Sequence, residues 1–221
     1  MRFNFSHGLD DDIRDQALRD FWKENRNFLI AAVVVLFASF GATKYYQMHK
    51  AESIQQQAIA YYEASQRQSA EAFSKLAEET NGGYKAMALF EVAKSQMAEK
   101  NYAEAAKTYA QIRESGASAL LRDLAAIMEN QLLMETDPQA AEGGFKALVA
   151  KKSPYMLTAM EMLAILAQNQ GKYDVAQGYY EQILNNKTDA ALAMRSRIEK
   201  RLGYLQGKGL IAVPTTEGAT N

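Results

Sequence analysis

The 221-residue chain balances 25 Lys plus Arg against 26 Asp plus Glu, for a formal net charge of −1, and holds 48% hydrophobic residues and no cysteine. Near-neutrality argues against a broad electrostatic footprint for nucleic acid, and the missing thiols exclude disulfides, thiolate metal sites and thiol catalysis. Only three prolines occur, Ala, Gln, Lys, Glu, Leu and Met are abundant, and no alternating strand pattern competes, so the expected fold class is all-α.

Residues 1–26 read as a short polar head. Asp11 or Asp12 is placed to cap a helix beginning near Ile13. Ile13, Ala17, Leu18, Phe21 and Trp22 then share one face at three- and four-residue spacing. Two readings stand side by side: an amphipathic helix lying on a membrane surface, or a plain helical extension of the segment that follows. The Asp10-Asp11-Asp12 run reads as solvated acid.

Phe28–Thr43 reads FLIAAVVVLFASFGAT, and the 17 positions between Arg26 and Lys44 carry no charge. At a rise of about 1.5 Å per residue a helix here is roughly 25 Å long, against a hydrocarbon core of about 30 Å. Trp22, Tyr45 and Tyr46 flank the run, where amphipathic rings favour the headgroup level. Residues 28–38 lack the polar stripe of a surface helix. The expectation is a single transmembrane helix over residues 27–46. Arg14, Arg19, Lys23 and Arg26 precede it and Lys44 and Lys50 follow, a cation bias that puts the N-terminus in the cytoplasm and the larger part outside, which in a bacterium is the periplasm. Ser39, Gly41 and Ala42 suit leader cleavage, but the preceding acidic head is a poor leader, so the anchor is expected to stay.

Residues 47–206 show internal repetition. Ala86–Ile112 reads AMALFEVAKSQMAEKNYAEAAKTYAQI, and Leu157–Ile183 reads LTAMEMLAILAQNQGKYDVAQGYYEQI. Aligned at the turns Lys100-Asn101 and Gly171-Lys172, Tyr102, Ala105, Tyr109 and Ile112 match Tyr173, Ala176, Tyr180 and Ile183. Leu89, Val92 and Ala93 match Met160, Leu163 and Ala164. Small residues let paired helices approach, and large ones fill the volume around them. The 71-residue offset is about twice a 34-residue period, so a degenerate pair is expected between: Ser118–Met134 and Pro138–Ala150, with Ala141, Phe145 and Leu148 in register. Ala51–Gln66 and Ser69–Glu79, with Phe73 and Leu76, form an imperfect first pair. Asp189–Leu205 reads as a closing helix. Its Arg195, Arg197, Lys200 and Arg201 read as a polar outer face, or alternatively as a patch for anionic lipid or acid groups. The tail, residues 207–221, reads as mobile. This is the pattern of a tetratricopeptide-like helical-hairpin solenoid.

Catalytic constellations are missing. The only histidines are His7 and His49, and no HExxH, P-loop or GxGxxG occurs. Gly82-Gly83 and Gly143-Gly144 read as turns or tight packing, and Glu78-Glu79 and Lys151-Lys152 as solvated helix ends. No catalytic, cofactor or metal residue is assigned, and the chain reads as a non-enzyme. Tetratricopeptide geometry places binding residues at the second, fifth, ninth and twelfth positions of first helices. These are Met87, Phe90, Lys94 and Met97, then Asp123, Ala126, Asn130 and Leu133, then Thr158, Glu161, Ile165 and Gln168. Protein binding is assigned to Met87, Phe90, Lys94, Met97, Asn130, Leu133, Glu161 and Ile165. A competing reading packs Met87 and Phe90 against the preceding hairpin.

The segments LRDFWKENRN (Leu18–Asn27), the apolar run after it, KNYAEAAKTY and GKYDVAQGYY together resemble the YfgM-like family, an ancillary subunit of the bacterial SecYEG translocon. The resemblance covers roughly residues 10–206. The chain departs from the family in a longer, more acidic head and a middle unit without a turn glycine. The resemblance implies an inner-membrane scaffold with a periplasmic repeat domain. Its implied partners are translocon subunits, a periplasmic chaperone and exported clients, with no cofactor and no nucleic acid. An envelope-assembly or cell-division scaffold on the same fold is the alternative.

Overall fold

A computed structural model describes the backbone of residues 6–67 and 69–212, and the side chains of residues 31, 35–67 and 69–212. Among the described residues the regular elements are helices: α1 (Ser6–Arg67), α2 (Ala70–Glu79), α3 (Gly82–Ala98), α4 (Tyr102–Glu114), α5 (Ala119–Thr136), α6 (Pro138–Ala150), α7 (Met156–Asn169), α8 (Tyr173–Asn185) and α9 (Asp189–Gly207). The chain divides into two units, residues 1–56 and 57–221.

In the first unit α1 runs without a break from Ser6. Asp11 and Asp12 therefore lie inside the helix and do not cap a start near Ile13, and the backbone continues without a break into the segment that follows. No proline interrupts the segment, and its first glycine after Gly8 is Gly41, so nothing in the chain forces a stop. Val35, Leu36, Phe37 and Phe40 are 65–73% exposed. The Ser39 and Thr43 hydroxyls donate to the Leu36 and Ser39 carbonyls at 2.8 and 2.7 Å, so their polar groups are satisfied within the helix. The transmembrane helix expected over residues 27–46 is not supported: among the described residues no helix is long and apolar enough to cross a membrane. Residues 27–30 and 32–34 of that expected span lie outside the described side chains.

The second unit is a series of helical hairpins. The turns at Lys100-Asn101 and Gly171-Lys172 share one device. Lys100 and Gly171 take φ of 62° and 73°, and the next N–H reaches back five residues, from Asn101 to the Gln96 carbonyl at 2.8 Å and from Lys172 to Ala167 at 2.9 Å. This left-handed closure caps the orphan carbonyls of the first helix. The middle hairpin replaces it with Asp137, whose N–H bonds Leu133 O at 2.8 Å while its carboxylate accepts from Ala140 N at 3.0 Å. One residue ends α5 and starts α6, and Pro138 follows at the first helical position, where a missing N–H costs nothing.

Ala93, Ala105, Ala141, Ala164 and Ala176 are all fully buried, as are Phe145, Tyr180, Ile112 and Ile183. The small–large pattern read from the repeats is thus the core itself. Second helices pack on the first helix of the next pair, α4 on α5, α6 on α7 and α8 on α9, and first helices meet directly, α3 with α5 and α5 with α7. Tyr61 and Ala64 at the end of α1 join Phe73, Leu76 and Leu89 in the first core cluster. Ile211 is buried with Leu205 and Ile198 in the last. The tail is therefore seated at its start; residues 213–221 lie outside the described residues.

Gly143 and Gly144 both lie within α6, and only one is there for space. A Cβ on Gly144 would fall 2.0 Å from Asn130 Oδ1, whereas one on Gly143 meets nothing within 4 Å. Asn130 is buried and donates to Ala126 O at 2.6 Å, so it has little room to retreat. Alanine in a helix is ordinarily favoured over glycine by about 0.5–1 kcal/mol. Gly143→Ala is expected to show that gain. Gly144→Ala is expected to reverse it, losing about 1–3 kcal/mol to overpacking. Adding Asn130→Ala should recover much of that loss, a coupling measurable by urea unfolding of the four proteins in the Asn130/Gly144 cycle.

Candidate functional site

The eight assigned binding residues separate into two groups. Met87 is 38% exposed, and Lys94 is exposed and pairs with Glu91 at 3.0 Å. Phe90 is half-buried with its ring 5.9 Å from Tyr109, and Met97 and Leu133 pack partly against the cores. Ile165 is half-buried on α7 and lines a cleft. Asn130 and Glu161, at 4% and 3% exposure, are engaged inside the fold. Asp123 is buried too, and Gln168 accepts from the Tyr180 hydroxyl at 2.5 Å.

Two buried acids, Glu161 and Asp123, and the half-buried Glu129 mark three places where helices are tied by charge. Arg197 grips Glu161 with two parallel bonds, Nε to Oε1 at 2.8 Å and Nη2 to Oε2 at 2.7 Å. Arg201 Nε stands 3.4 Å from Oε1. Such paired geometry is the strong form of an ion pair. Arg197 and Arg201, read from the sequence as part of a polar outer face, keep 55% and 38% of their side chains exposed and also lie over a carboxylate of α7, thirty-six residues away in the case of Arg197. Asp123 takes bonds from Lys151 Nζ and, at 2.6 Å, from Ser153 Oγ. Burial pushes its carboxyl up, but Lys151 and Ser153 outweigh burial and hold it below the usual range. Its contribution to stability is present above about pH 4 and is lost as pH falls through the lowered folded value.

Glu129 behaves oppositely. Burial raises its carboxyl above the usual range, against the pull of Arg113. Arg113 Nη1 lies 3.1 Å away, yet Oε2 has no aligned hydrogen bond. A folded value above the unfolded one near 4.3 means that stability falls as pH rises through the interval between them. Glu129→Gln is therefore expected to raise the thermal midpoint at pH 7, and the gain should shrink toward zero near pH 4. A variant less stable than the parent at pH 7 would contradict this.

One cleft brings together residues that sequence reasoning had not joined. Ile165, Gln168 and Asn169 of α7 face Ala193, Ser196, Arg197, Lys200, Arg201 and Tyr204 of α9 across a cleft of about 770 Å³. The signal was present in the spacing: positions 193, 196, 197, 200, 201 and 204 form one helical stripe. Among the described residues no group of three or more His, Asp or Glu is placed to hold a metal ion.

A family profile described as Tetratricopeptide repeat-like domain matches residues 19–206. No curated protein and no solved structure matches the chain. The match covers most of the sequence, and the chain belongs to the tetratricopeptide repeat-like domain family.

Proposed function

We propose that this chain is an inner-membrane-tethered protein-interaction scaffold whose repeat domain faces the periplasm and assists the Sec translocon and periplasmic chaperones with exported proteins. Repeat domains of this family suggest scaffolds and are generally non-catalytic. The tether is supported by one observation above others. Val35, Leu36 and Phe37 are consecutive, so they point about 100° apart around the helix, and all three are exposed. A helix docking on one protein partner would cover a stripe; uncovered apolar groups on several sides suit lipid. The cations of residues 14–26 favour a cytoplasmic N-terminus. The YfgM-like resemblance supports the translocon and chaperone as partners. A tether would also raise the local concentration of the repeat face at the membrane.

The test is photo-crosslinking from positions 87 and 97 of the full chain in its native membranes. The reading expects adducts with translocon subunits, a chaperone or exported chains. Adducts with cell-division or envelope-assembly proteins alone would redirect it, and no protein adducts at all would overturn it.

A further inference from the structure

We propose that the cleft bounded by α5, α6 and the loop after α6 binds the dianionic head of a phosphate monoester, a ligand site separate from the protein-binding role proposed above. The cleft holds about 560 Å³, and Arg113 of α4 stands at its edge. Among the described residues none from α3, α7 or α9 lines it, so it is not the groove between successive first helices. Asp123, Ala126 and Asn130, which repeat geometry puts on a binding face, share this cleft with α6 instead.

Arg113, Arg122, Lys151 and Lys152 line the cleft together with one carboxylate, Asp123. Glu129, outside the lining, pairs with Arg113 at 3.1 Å, and Glu114 does not line the cleft. Four cations against Asp123 and Glu129 leave an excess of two positive charges. A phosphate monoester carries about −1.5 to −2 at pH 7, whereas a diester or a single carboxylate carries only one charge. The excess therefore matches a monoester. The Arg122 and Lys152 side chains are exposed and make no hydrogen bond or ion pair among the described residues, so both are available to a ligand.

The fold holds the remaining groups in place. Asp123 is buried and accepts from Lys151 Nζ and Ser153 Oγ, and Ser153 Oγ in turn accepts from Tyr155 N–H at 3.2 Å. Lys152 closes α6 with a φ of 53°, and Ser153 N–H reaches back to Leu148 O at 3.1 Å. These bonds tie the lysine-bearing loop to the first turns of α5. Lys151 gives Asp123 one ammonium proton and keeps the others for a ligand. Ala119, the first residue of α5, also lines the cleft, so the positive end of that helix opens onto the same space. The negative end of α6 is blunted, because its Ala147, Leu148 and Val149 carbonyls already accept from Lys151, Ser153 and Lys152 N–H. Ala126, Gly144 and Ala147 line the cleft without bulky side chains to fill it.

The probe is methyl phosphate, titrated with the full chain in phosphate-free dodecyl maltoside buffer at low salt and at about pH 8, where the monoester holds its second charge. Phosphorus NMR linewidth reads the bound fraction. Saturable binding by the parent is expected, with dimethyl phosphate about tenfold weaker because it carries a single charge. Arg122→Gln with Lys152→Gln is expected to weaken methyl phosphate binding at least about tenfold, since it removes two charged donors and breaks no ion pair. Lys187→Gln with Lys200→Gln makes the same change in net charge elsewhere and should leave affinity unchanged. Melting curves check that both double variants fold. No saturable binding by the parent, equal binding by the Arg122/Lys152 variant, or equal loss in the Lys187/Lys200 variant overturns the proposal. Soluble monoesters and phosphatidic acid share the proposed head, so doped micelles separate these sources. Displacement of methyl phosphate by phosphatidic acid but not by phosphatidylglycerol supports the site with a lipid headgroup as its ligand. Displacement by neither supports it with a soluble ester, and equal displacement by both overturns it as bulk charge attraction.

Discussion

Phe145→Ala is expected to lower the unfolding free energy by about 3–5 kcal/mol, the usual cost of emptying a buried aromatic site. Phe145 is fully buried among Ile127, Ala141, Leu148, Leu163 and Leu166, residues of three successive helices. The alanine would leave a void facing both the hairpin's own first helix and the next repeat. In a stack stabilised by nearest neighbours, a weak middle unit also uncouples the units on either side. Urea unfolding followed by circular dichroism should therefore show a lower midpoint together with a broadened or biphasic transition. A single transition shifted by less than the equivalent of about 1 kcal/mol would mean that the ring is not the packing centre described.

The second large effect concerns the charge tie between α7 and α9. Replacing Arg197 and Arg201 together by Met should cost about 3 kcal/mol, the lower end for leaving a buried ion without its partner. The lower end applies because the two arginine side chains are 55% and 38% exposed, so solvent already screens their pull on Glu161. Adding Glu161→Met should restore most of the loss, since an apolar trio of similar size removes the orphan charge. Thermal melts of the double and triple variants check this. A triple variant no more stable than the double would show that Glu161 is solvated in the absence of the arginines.

The repeat seams were legible because their signals are local. Ala105 and Ala176 with Tyr109 and Tyr180 recur at fixed offsets, and close helix packing demands small residues at such sites. The expected second helix over Pro138–Ala150 coincides with α6. Even the missing turn glycine of the middle unit has a readable cause, since Asp137 caps both neighbours. Glu161 and Asp123 were not legible as buried, because their partners come from distant positions; Asn130 donates locally to Ala126 O, and only the fold sets it against Gly144. Arg197 looks like one more cation of a polar terminal helix until the fold lays it on Glu161. Gly144 differs from Gly143 only through the side chain of Asn130 on the neighbouring helix. The course of α1 through Asp11 and Asp12 escaped for a different reason: either aspartate reads as a cap, yet the helix continues across both.

The scaffold account is tested most directly by affinity purification of the full chain from its own membranes in mild detergent, with quantitative identification of what accompanies it. The account predicts that the chain stays with the membrane fraction through alkaline extraction and, under mild detergent, brings translocon subunits and a periplasmic chaperone in constant ratio to itself. A chain released by alkaline extraction, or one recovered without protein partners, would contradict it.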